Sequence, residues 1–188
     1  MTLAEIMRLA LRQLDEDPAD IAEYADLFRM WANQGYQIVL QNYYRPRETM
    51  TLHTDEKGRA GIAGMDIQQI VELRNAYGAD VMHEVSGDGQ CIETNARNAE
   101  LEAVCEILPP PLEADADEPK FPERHHTMLV DYICYKHLMR GNMAKQSRAQ
   151  AFQSEFYRAA QQLRPQGSGS VTRMKNLYTV SDTRYTRW

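Results

Sequence analysis

The apolar positions at the start of the chain recur every three or four residues, which is the period of one buried helix face. In the first run these positions are Leu3, Ile6, Met7, Ala10 and Leu14. Thr2 and Glu5 form a capping-box signature, so we predict a first helix over residues 3–15. A second run starts with the helix-entry pair Asp17-Pro18 and ends before Arg45-Pro46, which predicts a long second helix.

After Pro46 the pattern changes to short β-like segments separated by turn residues. Residues 49–54 are typical of a strand, and the turn-rich sequence DEKGRAG that follows predicts a hairpin. Gly78, Gly87 and Gly89 interrupt the next apolar segments, so we predict a small antiparallel sheet. The sequence DIQQIVELRNAYG fits a helix as well as a strand, and its assignment stays open.

Helical periodicity returns after Pro122 and continues in two runs. The first run ends at Arg140-Gly141-Asn142, where glycine is a typical helix stop. The second ends before Arg164-Pro165, and the short turn between the runs predicts an antiparallel helix pair. Because the first two helices cannot bury their apolar faces alone, we expect all four to pack together. The predicted fold class is α+β: a four-helix bundle core with a β-rich insertion between helices 2 and 3 and an extended C-terminal tail.

The predicted domain boundaries follow from these changes in pattern. The helical bundle comprises residues 1–44 and 120–164, the β-rich insertion residues 45–119, and the extended C-terminal tail residues 165–188. The tail begins with a Gly/Ser-rich segment and has too few apolar residues for a core of its own. Its aromatic residues alternate with basic ones, which suits a peptide that becomes ordered on a partner; a chain end without a function is the alternative. The candidate binding residues are Val171, Arg173, Lys175, Leu177, Tyr178, Arg184, Tyr185, Arg187 and Trp188.

The composition is typical of a folded protein in a reducing compartment. Hydrophobic residues make up 43% of the 188 residues and charged residues 26%, close to the globular norm. Cys91, Cys105 and Cys134 lack CxxC spacing, and an odd number of cysteines favours free thiols over a disulfide framework. The start of the sequence lacks the basic and apolar blocks of a signal peptide, and no apolar run is long enough to span a bilayer. We therefore expect a soluble protein that is used or assembled where it is made.

Charge is distributed unevenly around a formal net charge of −6. Residues 45–119 carry sixteen acidic and six basic side chains, whereas residues 120–164 carry three acidic and eight basic ones. Residues 165–188 are also basic, with one acidic and four basic side chains. The net charge argues against a general nucleic-acid binder. The gradient is either plain solvation or a pair of complementary faces for self-association.

The sequence PPPLEADADEPKFPERHH, residues 109–126, concentrates residue types that bind metals. The candidate ligands are Asp115, Asp117, Glu118, Glu123, His125 and His126. An EF-hand loop needs a glycine at its bend and a closing glutamate, and Pro119 interrupts that pattern. Two zinc-binding histidines on a helix lie one turn apart, whereas His125 and His126 are adjacent. We therefore predict no metal site.

The sequence motifs do not indicate an enzyme. Ser86 lies in VSGDG rather than in the GxSxG of a nucleophile elbow, and the chain contains neither a P-loop nor GxGxxG. Glu100 and Glu102 share one face of a predicted strand, where solvated acids are common. The sequence YYRPR, residues 43–47, has side chains that stack on and pair with nucleic acid, but aromatic residues at a helix end more often belong to a core or an interface. We predict no catalytic activity and no cofactor.

From Leu108 to Leu163 the sequence carries a series of features in a fixed order. A strand ends in a proline-rich loop, an acidic segment precedes a proline-containing element, a histidine enters a helix, and the last helix carries aromatic residues. In this chain these features are Pro109 to Pro111, Asp115 to Pro119, Phe121-Pro122, His126 with Leu129 and Tyr132, and Gln150 to Tyr157. The series resembles the head-tail adaptor, or neck connector, proteins of tailed bacteriophages. The resemblance covers the N-terminal helix pair more loosely and the β insertion in outline, and it includes neither Cys134 nor the double histidine.

This resemblance implies a structural virion protein that joins the portal vertex to the tail. Such adaptors commonly form a ring of twelve subunits around a DNA passage, located at the neck of the virion and assembled in the host cytoplasm. The implied partners are the portal protein, a tail or nozzle protein and further copies of the chain, without a membrane. An acidic channel wall lets DNA pass without binding, and residues 171–188 are the implied portal contact. The alternative function is a small cytosolic regulator that binds nucleic acid through the basic C-terminal half.

Overall fold

The computed structural model describes residues 1–17, 21–141 and 143–163. These ranges contain four helices: α1 (Leu3–Gln13), α2 (Ile21–Asn42), α3 (Thr127–Leu138) and α4 (Met143–Gln162). They also contain six strands: β1 (Arg47–His53), β2 (Arg59–Gly61), β3 (Ile67–Asn75), β4 (His83–Val85), β5 (Cys91–Thr94) and β6 (Glu100–Ile107). All the described strands lie between α2 and α3, where the sequence predicts β structure. The sequence DIQQIVELRNAYG, which left helix and strand open, contains β3.

The predicted capping box begins α1. The Thr2 hydroxyl accepts a hydrogen bond from the Glu5 amide, and the Glu5 carboxylate accepts one from the Thr2 amide. The fully buried residues of the helix are Leu3, Ile6, Ala10 and Leu11. The chain leaves the helix at Asp15, where φ is 63°. The predicted first helix is thus confirmed, while the predicted helix entry at Asp17-Pro18 extends outside the described residues.

The strands form two antiparallel three-stranded sheets with the orders β1-β6-β3 and β2-β5-β4. In the central strand β6, Leu101, Ala103 and Cys105 are fully buried. Glu100 and Glu102 alternate with them and are exposed, as a sheet with one solvated face requires. The sequence DEKGRAG does form a turn between β1 and β2, but β1 pairs with β6 and β2 pairs with β5. The predicted hairpin across this turn is therefore wrong.

Two clusters of buried apolar side chains lie in the described part of the chain. The helical cluster contains side chains of all four helices, together with Leu112 and Phe121 from the segment that connects β6 to α3. The sheet cluster is contributed by both sheets and consists of Leu52, Ala60, Ile62, Ile70, Leu73, Ile92, Leu101, Ala103 and Cys105. The predicted domain boundaries at residues 44/45, 119/120 and 164/165 stay predictions.

The predicted four-helix bundle core is wrong. Helices α1, α2 and α3 pack on one another, whereas α4 packs mainly along α3, with the ring centroids of Phe156 and Tyr132 4.8 Å apart. Among the side chains of α4 that the structure describes, the buried ones are Phe156 and the small Ala149 and Ala160, which is a narrow face for a bundle. The helices are also interspersed with strands along the chain. The structure is a mixed α+β fold with four helices and two small sheets in its described part.

The segment that connects β6 to α3 is bonded to α2 along its length. Asn33 of α2 accepts a hydrogen bond from the Leu112 amide at 2.7 Å and donates one to the Leu112 carbonyl at 2.9 Å. Further along, the Lys120 amide donates to the hydroxyl of Tyr36 at 3.1 Å. These contacts fix the direction in which the chain returns from the sheets to the helices.

Candidate functional site

The acid- and histidine-rich residues 109–126 make hydrogen bonds and an ion pair that connect this segment to the helices. The backbone carbonyls of Asp115 and Asp117 accept hydrogen bonds from amides in the first turn of α1. The Asp117 carboxylate accepts two more from backbone amides of its own loop, each at 2.8 Å. The Asp115 carboxylate lies 3.0 Å from an Nη atom of Arg29. These carboxylates and carbonyls therefore hold the loop against α1 and α2.

The two histidines of this segment are buried in different surroundings. His126 has Nε2 2.8 Å from the Phe121 carbonyl, and its ring packs edge-on against the Phe121 ring at 5.1 Å. His125 has Nε2 3.0 Å from Nε of Arg124, which donates to it. Burial, followed by the neighbouring charges of Arg124 and His126, lowers the pKa of His125, so its ring is neutral at neutral pH. Within residues 1–17, 21–141 and 143–163, no group of three or more His, Cys, Asp or Glu side chains could hold a metal ion.

The remaining candidate nucleophiles are either hydrogen-bonded within a turn or buried. The Ser86 hydroxyl donates to the Asp88 carboxylate and accepts from the Cys91 amide, which closes the turn between β4 and β5. Burial raises the pKa of the Cys105 thiol, and burial followed by the charge of Asp131 raises the pKa of Cys134 to about 12. Thiols with raised pKa values are weak nucleophiles, because the thiolate is the reactive form.

A cleft of about 1350 Å³ lies where the helices meet the first sheet. Its walls come from the end of α2, the start of β1, the end of β6, the turn before α3 and the end of α4. We call it the junction cleft; the residues that determine its chemistry are Tyr43, Tyr44, Arg45, Arg47, Glu106 and Arg124. The sequence YYRPR, singled out for stacking and charge, therefore lies in this cleft.

Arginine side chains dominate the charge of the junction cleft. Arg47 lies opposite Glu106 in the β1–β6 register, with Nη2 3.1 Å from Oε1, and Arg45 reaches the other carboxylate oxygen at 3.4 Å. The Glu106 side chain is only 12% exposed, whereas the two arginine side chains are 56% and 54% exposed. Arg124 adds a third cation, and its hydrogen bond to neutral His125 leaves its charge uncompensated at that contact. The cleft is suited to bind carboxylates through guanidinium groups.

A second surface feature lies at the edge of the other sheet. We call residues 83–94, which comprise β4, its turn and β5, the β4–β5 hairpin. Val85 within it is 54% exposed and Met82 just before it is 85% exposed. Glu84 lies directly opposite Glu93 in the register, and Glu93 is paired with Arg59 at 2.7 Å. Because Glu84 and Val85 are consecutive in β4, they lie on opposite faces of the strand, so the hairpin exposes an acidic side chain on one face and an apolar one on the other.

Comparison with known protein families identifies the relatives of this chain. A family model described as SU10 adaptor protein matches residues 1–176, a range that includes both apolar clusters, the junction cleft and the β4–β5 hairpin. The chain belongs to the SU10 adaptor protein family. The resemblance to phage head-tail adaptors is thereby confirmed. None of the curated proteins matches the chain.

Membership of the family establishes the general class of function. The SU10 adaptor family consists of phage structural proteins that associate with other head or tail components, so this adaptor is a component of the virion. The family is generally non-enzymatic. Among the described residues of the adaptor, no helix has the length and apolarity needed to cross a membrane.

The predicted portal-binding residues of the adaptor, from Val171 to Trp188, lie outside the described residues and stay predictions. The described chain reaches Leu163, which is one of the lining residues of the junction cleft. From the sequence, the aromatic residues of 43–47 were expected to belong to a core or an interface more often than to a nucleic-acid site, and Tyr43 and Tyr44 do pack against the helical cluster. Nothing in the sequence indicated the cleft, because Arg124, Glu106 and the end of α4 are distant in sequence. It also missed the hairpin, since apolar residues next to a turn are ordinary in a strand pattern.

Proposed function

We propose that this adaptor forms a ring that joins the portal vertex of the head to the tail and lines the passage for DNA. The observation that carries the proposal is the family match over residues 1–176. Twelve subunits are expected from the head-tail adaptors that the sequence resembles. The proposed partners are the portal protein, a tail or nozzle protein and further copies of the adaptor, with DNA passing through without specific binding and without catalysis.

The outer face of the first sheet supports the proposed passage for DNA. Glu100 and Glu102 of β6 are exposed on this face, and Glu72 of the neighbouring strand β3 is exposed and paired with Arg74 at 2.8 Å. Residues 45–119 as a whole carry sixteen acidic and six basic side chains. Binding to DNA depends on basic side chains that neutralise phosphates, so an acidic wall does not hold the duplex. We assign this face to the wall of the passage.

In this proposal the three predicted parts of the chain have separate roles. The helical part, residues 1–44 and 120–164, forms the body of each subunit, and residues 45–119 provide the acidic wall. Residues 165–188 bind the portal through the aromatic and basic side chains predicted from the sequence. An aromatic side chain that enters a pocket of a partner contributes on the order of 2 kcal/mol or more to binding.

Deletion of residues 168–188 tests the role of the last part. We expect the truncated adaptor to unfold at nearly the same temperature as the full chain but to lose co-sedimentation with tail-less, DNA-filled heads. Double substitution of Tyr185 and Trp188 by alanine should reproduce part of the loss. The matched control replaces Thr183 and Thr186 by alanine and should bind normally. Unaltered docking of the truncated adaptor would exclude the portal role of this segment.

The alternative function predicted from the sequence is a small cytosolic regulator that binds nucleic acid through the basic C-terminal half, and one feature that favours it is the junction cleft. Its tyrosines and arginines are the residue types that stack on bases and pair with phosphates. Fluorescence anisotropy of labelled DNA with the full chain distinguishes the two functions. Affinity that falls steeply with salt, together with failure to bind heads, would favour the regulator. Indifference to DNA together with binding to heads supports the adaptor ring.

A further inference from the structure

Two surface features of the adaptor have complementary chemistry. The junction cleft combines half-buried tyrosines with three arginines and one glutamate. The β4–β5 hairpin combines exposed Val85 with exposed Glu84, and Met82 precedes it. We infer that the β4–β5 hairpin of one copy of the adaptor occupies the junction cleft of a second copy. The inference rests on the proposed function, since a contact that joins two different faces generates a ring when the rotation between copies closes.

The charges of the hairpin favour a basic partner. Glu84 and Glu93 are directly opposite each other, and like charges in that position destabilise a pair of strands. Arg59 lies 2.7 Å from Glu93 and compensates that side chain. Within the described part of the chain, Glu84 has no ion pair of its own. A cation from outside the subunit would reduce the repulsion between Glu84 and Glu93. Arg124 in the junction cleft carries a positive charge in an exposed position.

The apolar side chains and the size of the cleft favour a polypeptide occupant. Met82 is 85% exposed and Val85 54% exposed, so both lose unfavourable contact with water when they are covered. The cleft volume of about 1350 Å³ exceeds the roughly 300–1,000 Å³ of pockets for small molecules. Tyr43 and Tyr44 supply aromatic surface for apolar side chains, while the arginines lie beside them.

The occupant is a second copy rather than another part of the same chain. The cleft is lined by residues of α2, β1, β6, α4 and the turn before α3, and by none of β4 or β5. Residues 164–188 continue from Leu163 at the wall of the cleft, but this segment carries five basic side chains and one acidic one. Its charge has the same sign as the cleft arginines. Residues 45–119, with their excess of acidic side chains, supply the complementary charge.

Site-specific photo-crosslinking tests the contact directly. The photoreactive residue benzoylphenylalanine replaces Val85, and labelled copies carrying ¹⁵N are mixed with unlabelled copies so that links between copies are recognised by mass. The full chain is irradiated in concentrated solution and bound to tail-less heads. We expect linked peptides from residues 41–47 or 122–127 of the other copy. The matched control places benzoylphenylalanine at Thr51, on the outer face of the first sheet, and should not link to these peptides.

Charge reversal provides the second arm of the test. Glu84→Lys and Arg124→Glu should each weaken association between copies by about ten-fold or more, whereas the double variant should recover most of the association. Glu113→Lys and Arg140→Glu, which reverse exposed charges outside the two surfaces, are matched controls. Circular dichroism of each variant verifies that it is folded. Because the side chains of Glu84 and Arg124 are exposed, both variants are expected to fold.

The outcomes separate this inference from the proposed function. The inference is overturned if the linked products contain cleft peptides neither in concentrated solution nor on tail-less heads. It is also overturned if the double variant does not recover association. A link from position 85 to a portal or tail peptide instead of the cleft overturns it too. If the adaptor binds heads while the charge variants assemble normally, the proposed function stands and the inference falls. If the links form in solution but the adaptor does not bind heads, the inference stands and the proposed function falls.

Discussion

The helical cluster contains twenty-five buried apolar side chains in the described part of the chain, whereas the sheet cluster contains nine. The helices are held by large side chains that interlock, such as Phe156 against Tyr132. The sheets are stabilised more by their turns. In these turns the side chains of Asp55, Asn75 and Asp88 accept hydrogen bonds from backbone amides that follow a few residues later in the chain. The comparison indicates that core truncation should damage the helical region most and that backbone changes should damage the sheets most.

The largest expected effect is that of truncating the contact between α3 and α4. Phe156→Ala removes a fully buried ring, and we expect it to lower the free energy of unfolding by about 3–4 kcal/mol. Urea denaturation followed by circular dichroism measures the loss. Phe152→Ala, at a half-buried position on the same helix, is the matched control and should cost about 1 kcal/mol. Equal losses for the two variants would contradict the packing of α4 on α3.

A backbone change in the second sheet should have the next largest effect. Gly58 has φ near 80°, and a Cβ added there would lie 2.3 Å from the Thr94 carbonyl oxygen. We therefore expect Gly58→Ala to cost about 2–3 kcal/mol and to speed hydrogen exchange in β2 and β5 before the helices. Gly64→Ala is the control that separates the cost of the backbone conformation from the cost of the steric clash. Gly64 has φ near 77° but open space around its Cα, so this substitution should lower the free energy of unfolding by about 1 kcal/mol. Simultaneous loss of protection in the helices would show that the two clusters unfold as one unit.

A substitution in the helical region should stabilise the protein at neutral pH. Burial, followed by the charge of Glu155, raises the pKa of Asp131 to about 6, above its unfolded value near 4. The protonated carboxyl therefore contributes stability below about pH 4, and this contribution is lost as the pH rises through 6. Asp131→Asn should raise the free energy of unfolding at pH 7.5 by about 1–2 kcal/mol and flatten its pH dependence between 4 and 6. An unchanged pH dependence would contradict the assigned environment.

The smallest expected effect concerns His137, whose ring lies edge-on to Tyr24, Phe28 and Trp31. Burial lowers the pKa of His137, although the nearby Glu16 carboxylate opposes this. A histidine with a lowered pKa contributes stability above its unfolded value of about 6.5, and the contribution is lost as the pH falls through its folded pKa. Between pH 7.5 and 5.5 the contribution of His137 to the free energy of unfolding should fall by less than about 1 kcal/mol, and urea denaturation at the two pH values should show a smaller fall for His137→Phe than for the unsubstituted protein. A larger fall in the variant would reverse the assigned direction.

The sequence predicted the parts of the fold that depend on interactions between neighbouring residues. The capping box of Thr2 and Glu5 and the glycine stop near Gly141 act within one helical turn, so the helix boundaries followed from the sequence. Strand pairing is not local: the turn at Asp55 to Gly58 was visible, but the pairing of β1 with distant β6 was not. The prediction of a four-helix bundle was wrong because the packing partners of a helix depend on the width of its apolar face.

The candidate site was predictable only in its fragments. Residues 43–47 were recognisable as aromatic and basic, yet their neighbours Glu106 and Arg124 come from segments about sixty and eighty positions away. The spacing of residues 109–126 predicted no metal site, but the hydrogen bonds that its groups make could be assigned only with α1 and α2 in place. The binding residues predicted between Val171 and Trp188 lie outside the described residues and depend on experiment.

Electron microscopy of tail-less, DNA-filled heads mixed with the full-length adaptor tests the central claim most directly. We expect a ring of additional density at the portal vertex, with an open channel whose inner wall carries the acidic face of the first sheet. Heads incubated without the adaptor are the control and should show the bare portal. If the folded adaptor gives no ring, or if the additional density is distributed over the head surface, the adaptor does not form the proposed ring at the portal.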